Sequence, residues 1–152
     1  MTENLSVDAL QIRDNLQRIE EHLTNACIKA GRQREEVTLM AVTKTVSPER
    51  INAALSAGIT CIGENRVQEF LEKKDSLHLS GVEKHLIGHL QTNKVRRIVG
   101  EVDMIQSIDS VHLAQAVSKA AQTTPRGIMD VLVEVNIGNE ETKSGIAAEN
   151  LE

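Results

Sequence analysis

The chain has 152 residues, of which 40% are hydrophobic and 26% charged, so its composition predicts one globular domain of ordinary size. Its formal net charge of −5 argues against nucleic acid as a partner, because phosphate binding requires a concentrated basic face. The sequence contains one Phe and no Tyr or Trp, so stacking of bases on aromatic side chains is essentially unavailable.

The N-terminal stretch MTENLSVDAL has neither a basic lead nor an apolar core, so it does not resemble a signal peptide. No apolar run approaches the ~20 residues of a membrane-spanning helix. Cys27 and Cys61 lack the spacing of a redox or zinc motif, and we expect both to be small buried hydrophobic residues. These features predict a cytoplasmic protein with no membrane partner.

The first predicted element is a long amphipathic helix, Val7–Ala30, with Ser6 as its cap and Gly31 as its end. Its apolar residues recur every three or four positions and predict one buried stripe. The stripe consists of Ile12, Leu16, Ile19, Leu23 and Ala26.

From residue 37 onward, short apolar strands alternate with helices. The predicted strands are Val37–Thr43, Ile59–Gly63, Lys84–Leu90, Val102–Ile108 and Asp130–Ile137. The intervening helices are predicted from Pro48 to Gly58 with Ser47 as cap, over residues 66–75, over Lys94–Val99, and from Ser110 to Pro125. This alternation predicts an α/β domain with a parallel sheet, which could be a doubly wound open sheet or a (β/α)8 barrel.

Both architectures bind ligands at the carboxyl ends of their strands. The residues predicted at these ends are Lys44, 63–65, 88–91, Ser107, Asp109 and Asn136. A lysine at a strand end either stays solvated or becomes, when its neighbours desolvate it, a nucleophile toward aldehydes. A Schiff base with pyridoxal phosphate is the commonest use of such a lysine.

Other kinds of site have weaker support in the sequence. There is no GxGxxG after the first strand and no GxxxxGK[ST], which counts against a nucleotide site. His85 and His89 are four residues apart but lack the glutamate of HExxH, so we predict no metal site. No Ser/His/Asp signature is present, and we predict no catalytic residues.

Five segments, in order along the chain, resemble the pyridoxal phosphate homeostasis proteins, which are one-domain relatives of the N-terminal barrel of alanine racemase. They are LMAVTKTVSPERI (39–51), CIGENRVQEF (61–70), HLIGHLQTNKVRRI (85–98), QSIDS (106–110) and VEVNIGNEETKSGI (133–146). One departure is that the family usually has aromatic residues at the positions of Lys84 and Leu86.

This resemblance implies a TIM-barrel fold and a role in intracellular homeostasis of pyridoxal phosphate. It implies that Lys44 binds the cofactor covalently as a Schiff base, that Asn65 lies beside the cofactor ring, and that residues 85–94 lie near the pocket wall. The family role involves no turnover, and the absence of tyrosine agrees with no racemisation. The alternatives are a racemase-like enzyme that uses the same lysine, and an interaction module that binds no cofactor.

Members of this family are longer than this chain and form barrels of eight strands. We therefore expect residues 1–152 to form a single domain, an incomplete barrel with about five parallel strands that lacks the last strands and their phosphate site. The first and fifth strands would have exposed edges, which predicts self-association through those edges.

Overall fold

The computed structural model describes residues 7–138, 140, 142 and 144–151. The α-helices are α1 (Val7–Ala30), α2 (Pro48–Ser56), α3 (Val67–Lys73), α4 (Val95–Ile98) and α5 (Val111–Ala121). The strands are β1 (Ala41–Val42), β2 (Cys61–Glu64), β3 (Glu83–Leu86), β4 (Met104–Ile108), β5 (Asp130–Val133), β6 (Val135–Asn136) and β7 (Ile146–Ala147).

Strands β1 to β5 form one parallel sheet in which each strand lies beside its predecessor in the sequence. A doubly wound sheet reverses its strand order at a switch point, whereas a barrel adds its strands in sequence. The observed order therefore decides between the two predicted architectures in favour of the barrel. Among the described strands, β1 pairs only with β2 and β5 only with β4, so the sheet is part of a barrel wall.

The hydrophobic core lies between one face of this sheet and the helices that connect its strands. Neighbouring strands contribute Ile62, Leu86 and Ile105, all at most 1% exposed, to the same buried cluster as Phe70 of α3 and Leu113 of α5. Since side chains alternate along a strand, the residues between these point to the other face, the interior side of the barrel wall. This alternation leaves the interior side free to carry polar groups.

The long first helix is confirmed with its predicted bounds, and it ends at Gly31, whose φ of +65° suits glycine. Its stripe is only half-buried: Leu16 packs on the core, whereas Ile19 is exposed and Cys27 is the buried residue. The predicted cap Ser6 lies outside the described residues. Among the described residues, none of the helices is both long and apolar enough to cross a membrane.

The later helices follow the predicted boundaries closely, and one of the two predicted serine caps bonds to its helix. Ser110 accepts a hydrogen bond from the backbone N–H of Leu113 at 3.2 Å, as a capping serine should. Ser47 occupies the N-cap position of α2, but its side chain makes no capping bond, so this part of the prediction is wrong.

The first strand is shorter than the predicted Val37–Thr43, because only Ala41 and Val42 pair as a strand with β2. The fifth predicted strand, Asp130–Ile137, divides at Glu134 into β5 in the main sheet and β6, which pairs with β7. The backbone of Glu134 bridges the two sheets: its N–H donates to Ile108, and its carbonyl accepts from Ile146. The third strand, in the middle of the sheet, is also shorter than predicted and runs over Glu83–Leu86 instead of Lys84–Leu90.

Candidate functional site

The candidate site lies where β1 and β2 end. Val42 pairs with Gly63, and Lys44 and Asn65 each stand two residues beyond this pair, at the same edge of the sheet. The Lys44 amine is exposed and has no partner among the described residues. Asn65 is half-buried, and its side-chain amide has no hydrogen-bond partner in the described part of the chain. Both groups are therefore available to a ligand.

Lys44 occupies a tight turn that joins β1 to α2. The N–H of Val46 donates to the carbonyl of Thr43 at 3.1 Å, which closes a four-residue turn over Lys44 and Thr45. Thr45 has a φ of +59°, and it is the one non-glycine residue with a positive φ in the described chain. A β-branched residue in this region is a genuine conformational outlier. Such strain persists only when the surrounding structure imposes it.

Beneath this turn lies a group of three charged residues, Glu64, Glu69 and Lys73, which we call the buried ion cluster. The Lys73 ammonium lies 2.6 Å from Glu64 Oε1 and 3.0 Å from Glu69 Oε1. Glu64 is 1% exposed and Lys73 7% exposed, so this charge pair is almost completely removed from water. The Oε2 atom of Glu64 is buried and has no hydrogen-bond partner among the described residues.

The cluster is bonded directly to the turn. Lys73 Nζ donates to the carbonyl of Thr43 at 2.9 Å, and the Thr43 hydroxyl donates to Glu64 Oε1. The backbone N–H of Thr45 donates to Glu69 Oε1 at 2.5 Å. Burial acts to raise the pKa of Glu69, but the hydrogen bonds from Thr45 and Lys73 outweigh it and hold that pKa below its usual range.

Two glycines allow close packing around Asn65 and the interior side of β2. A Cβ on Gly88 would lie 2.2 Å from the carbonyl oxygen of Asn65. Only glycine therefore allows the chain after β3 to lie this close to the Asn65 backbone. A Cβ on Gly63 would lie 2.6 Å from the sulfur of Met40. The backbone position of Asn65 thus depends on the absence of a side chain at Gly88.

Several residues predicted at the strand ends have other roles. Glu64 and Ser107 are each 1% exposed, so they belong to the interior of the protein instead of an open pocket. Ser107 Oγ donates to the carbonyl of Gly88 at 2.7 Å, and His89 Nδ1 lies 3.0 Å from Asp109. Asn136 bonds through its side chain to the backbone of Glu140, which makes it a loop-stabilising residue.

His85 lies on the interior side with its Nδ1 2.8 Å from the side-chain nitrogen of Gln106 and its Nε2 3.9 Å from Cys61 Sγ. Cys61, Glu83 and His85 each place one potential metal-ligating atom within 4.8 Å of the other two. The spacing of these residues in the sequence did not suggest this group. Burial, reinforced by the charges of Glu83 and Asp103, raises the pKa of the Cys61 thiol. The thiol therefore stays protonated, and Cys61, like Cys27, is a free and buried residue.

The sequence reading missed the buried ion cluster. A usable signal was present, because Glu69 and Lys73 are four residues apart on a predicted helix, a spacing that brings opposite charges together. The pairing of Lys73 with Glu64 had no such signal, since it depends on how α3 packs against the end of β2.

Residues 7–152 match the family model of the alanine racemase N-terminal domain. The chain belongs to this family. It is 44% identical over 138 residues to a pyridoxal phosphate homeostasis protein of Aquifex aeolicus, and 36% identical over 146 residues to that of Escherichia coli K12. The alignments cover 91% and 93% of this chain but 60% and 61% of the relatives, so the chain spans about 60% of their length.

Solved structures with a similar fold are also known. A structure of an unknown protein from Bifidobacterium adolescentis is 37% identical with a TM-score of 0.82, covering 95% of this chain and 63% of its own. PipY of Synechococcus elongatus with pyridoxal phosphate bound is 30% identical with a TM-score of 0.61, covering 82% of this chain and 57% of its own. An alanine racemase of Clostridium difficile, at 16% identity and a TM-score of 0.64, covers 88% of this chain and 33% of its own, and it confirms the barrel fold alone.

Proposed function

We propose that this chain binds pyridoxal phosphate covalently through Lys44 and serves the intracellular homeostasis of that cofactor, without turnover. The observation that carries the proposal is the exposed amine of Lys44 at the carboxyl end of β1, which has no partner within the described part of the chain. The relatives named as homeostasis proteins and the PipY structure with the cofactor bound support it.

Lys44 and Asn65 fit the aldehyde and the ring of the cofactor. When bound, pyridoxal phosphate supplies an aldehyde carbon that a lysine amine can attack. No carboxylate of the described residues pairs with the Lys44 amine. Asn65 stands at the same edge of the sheet, and its side-chain amide has no hydrogen-bond partner among those residues either. An amide offers both donors and an acceptor, and it could orient the polar substituents of a pyridine ring. We propose Lys44 as the attachment residue and Asn65 as an orienting residue.

We also propose that the bound cofactor undergoes no turnover. The 152 residues contain no tyrosine that could act as an acid–base group beside the attached cofactor. The acids beneath the Lys44 turn are already engaged, since Glu64 and Glu69 both pair with Lys73. A side chain held in an ion pair is a poor proton acceptor for a substrate. Loss of α-deuterium from labelled alanine would contradict this part of the proposal.

The direct test is titration of the purified chain with pyridoxal phosphate, followed by borohydride reduction and mass spectrometry of the peptides. We expect a saturable adduct on the Lys44 peptide and its loss in Lys44→Ala. Lys29 at the end of α1 is an exposed lysine away from the sheet, so Lys29→Ala is the matched control and should keep the adduct. Labelling spread evenly over the surface lysines, with no saturation at Lys44, would overturn the proposal.

A further inference from the structure

Both peptide groups that flank the Cα atom of Lys44 are bonded to the buried ion cluster. The preceding peptide group contributes its carbonyl, that of Thr43, which accepts a hydrogen bond from Lys73 Nζ at 2.9 Å. The following peptide group contributes its N–H, that of Thr45, which donates to Glu69 Oε1 at 2.5 Å. Because these two planes define the backbone torsions of the residue between them, fixing both fixes the direction in which the Lys44 side chain leaves the backbone.

The cluster also explains how Thr45 keeps its positive φ. A left-handed conformation is unfavourable for an L-residue, and the turn places a β-branched residue where glycine is usual. The bond to Glu69 is made with the N–H of this same residue, and Glu69 is itself paired with Lys73 at 3.0 Å. A charge-assisted hydrogen bond is strong enough to offset the strain.

The third member, Glu64, holds the cluster in place from beneath. It is 1% exposed, pairs with Lys73 at 2.6 Å, and accepts a hydrogen bond from the hydroxyl of Thr43. Glu64 also ends β2, immediately before Asn65. The same ion pair thus connects the turn that carries Lys44 to the strand that carries Asn65.

We propose that Lys73 and Glu69, supported by Glu64, are positioning residues that aim the Lys44 amine by imposing the strained turn at Thr45. This proposal rests on the proposed function, because it takes Lys44 as the attachment residue. None of the three has to touch the ligand, because they act through the backbone on both sides of Lys44. The cluster is a device for orientation as well as a stabilising contact between α3 and β2.

The test compares Lys73→Met and Glu69→Ala with Lys74→Met in the 152-residue chain. Lys74 is the adjacent lysine, and its ion pair with Glu101 at 2.6 Å is partly exposed. Two quantities are measured: the amide hydrogen exchange of Thr45 without any ligand, and the ratio of borohydride-trapped pyridoxal on Lys44 to that on Lys29. Pyridoxal is used because it has the aldehyde without the phosphate, so the ratio reports on the amine alone.

We expect faster Thr45 exchange and at least a ~10-fold lower labelling ratio in Lys73→Met and Glu69→Ala, because small displacements of a reacting group have large kinetic effects. Lys74→Met should match the original chain in both. Should Lys73→Met fail to fold, Glu69→Ala still decides, since Glu69 is partly exposed and its loss leaves the pair of Lys73 with Glu64 intact. Folded variants that keep the original ratio and exchange rate overturn the proposal.

A rescue variant separates positioning from plain stabilisation. Thr45→Gly keeps the N–H and removes the cost of a positive φ, so in a Lys73→Met background it should recover part of the Lys44 labelling ratio. If a folded double variant shows no such recovery, the cluster does not act by imposing the strained turn at Thr45. The amide exchange of Thr45 is measured without a ligand. It therefore tests the effect of the cluster on the turn independently of covalent binding of pyridoxal phosphate.

Discussion

The ammonium of Lys73 lies 2.6 Å from Oε1 of Glu64, and both side chains are less than a tenth exposed. Two charges taken out of water lose several kcal/mol of hydration each, and their attraction repays this only when further hydrogen bonds complete the geometry. Here the hydroxyl and the carbonyl of Thr43 supply two of those bonds. The ion pair therefore needs the hydrogen bonds of Thr43 for its stability, and the turn at Lys44 needs the ion pair to keep its conformation.

Replacing Lys73 by Met should lower the free energy of unfolding by about 3–5 kcal/mol, because it leaves the Glu64 carboxylate buried without its counter-charge. Urea denaturation followed by circular dichroism measures this change. Lys74→Met serves as the control, and its partly exposed pair with Glu101 should contribute less than about 1 kcal/mol. Equal destabilisation by the two substitutions would contradict the assignment of a buried, mutually dependent pair.

The overall architecture followed from the sequence because its signals are local. The spacing of apolar residues in α1, the serine cap of α5 and the apolar strands each depend on a few neighbouring residues. The order of the strands was not settled by these patterns, since a doubly wound sheet has the same alternation of strands and helices. The family resemblance, and then the observed strand order, decided it.

The candidate site was predicted only in part, because sequence patterns report local structure and not contacts between distant residues. Lys44 and Asn65 stand at strand ends, which a sequence pattern can locate. The contacts that surround them join residues 20 to 30 positions apart, as Thr43 with Glu64 and Lys73 with Thr43 do. Such contacts depend on how helices pack on the sheet, and periodicity carries no information about that packing. The division of the fifth strand at Glu134 was missed likewise, because it arises from pairing with β7.

The contribution of Glu69 to stability should depend on pH. Its pKa in the folded protein is held below the usual range, so its contribution is fully present above the pKa of an unfolded Glu, near 4.3, and is lost as the pH falls through the folded value. We expect Glu69→Gln to lower the free energy of unfolding at pH 7 and to have a smaller effect near pH 3. Urea denaturation of both proteins across this range measures the difference.

The side chain in Glu69→Gln retains an oxygen that can accept the hydrogen bond from the N–H of Thr45. The effect of this substitution on stability therefore reports the contribution of the negative charge alone. The matched control is Glu72→Gln on the same helix, whose carboxylate accepts a surface hydrogen bond from Gln68. This control should show no comparable dependence on pH. A Glu69→Gln effect of the same size at both pH values would contradict the assigned pKa direction.

Gly88→Ala should lower the free energy of unfolding by about 1–3 kcal/mol, because a Cβ there would overlap the backbone of Asn65. It should also weaken pyridoxal phosphate attachment at Lys44, since relieving the overlap moves Asn65. Thermal denaturation and the trapped adduct measure the two effects. Gly138→Ala is the control, because the nearest atom to its Cβ would be Glu140 Cγ at an ordinary 3.5 Å. A Gly88→Ala protein with unchanged stability would contradict the close approach.

The two outer strands of the sheet should make the 152-residue chain self-associate. Val42 of β1 is 50% exposed, and Leu132 and Val133 of β5 are each 49% exposed, so apolar side chains accompany the backbone edges that lack a partner among the described strands. Edges of this kind pair with other chains, and a lysine on the edge strand opposes such pairing. We expect Leu132→Lys to shift the chain toward monomer in sedimentation velocity and light scattering, whereas Val111→Lys, at an exposed position that starts α5, should not. A compact monomer of the original chain at high concentration would contradict the prediction, because the edges would then have to be covered within one chain.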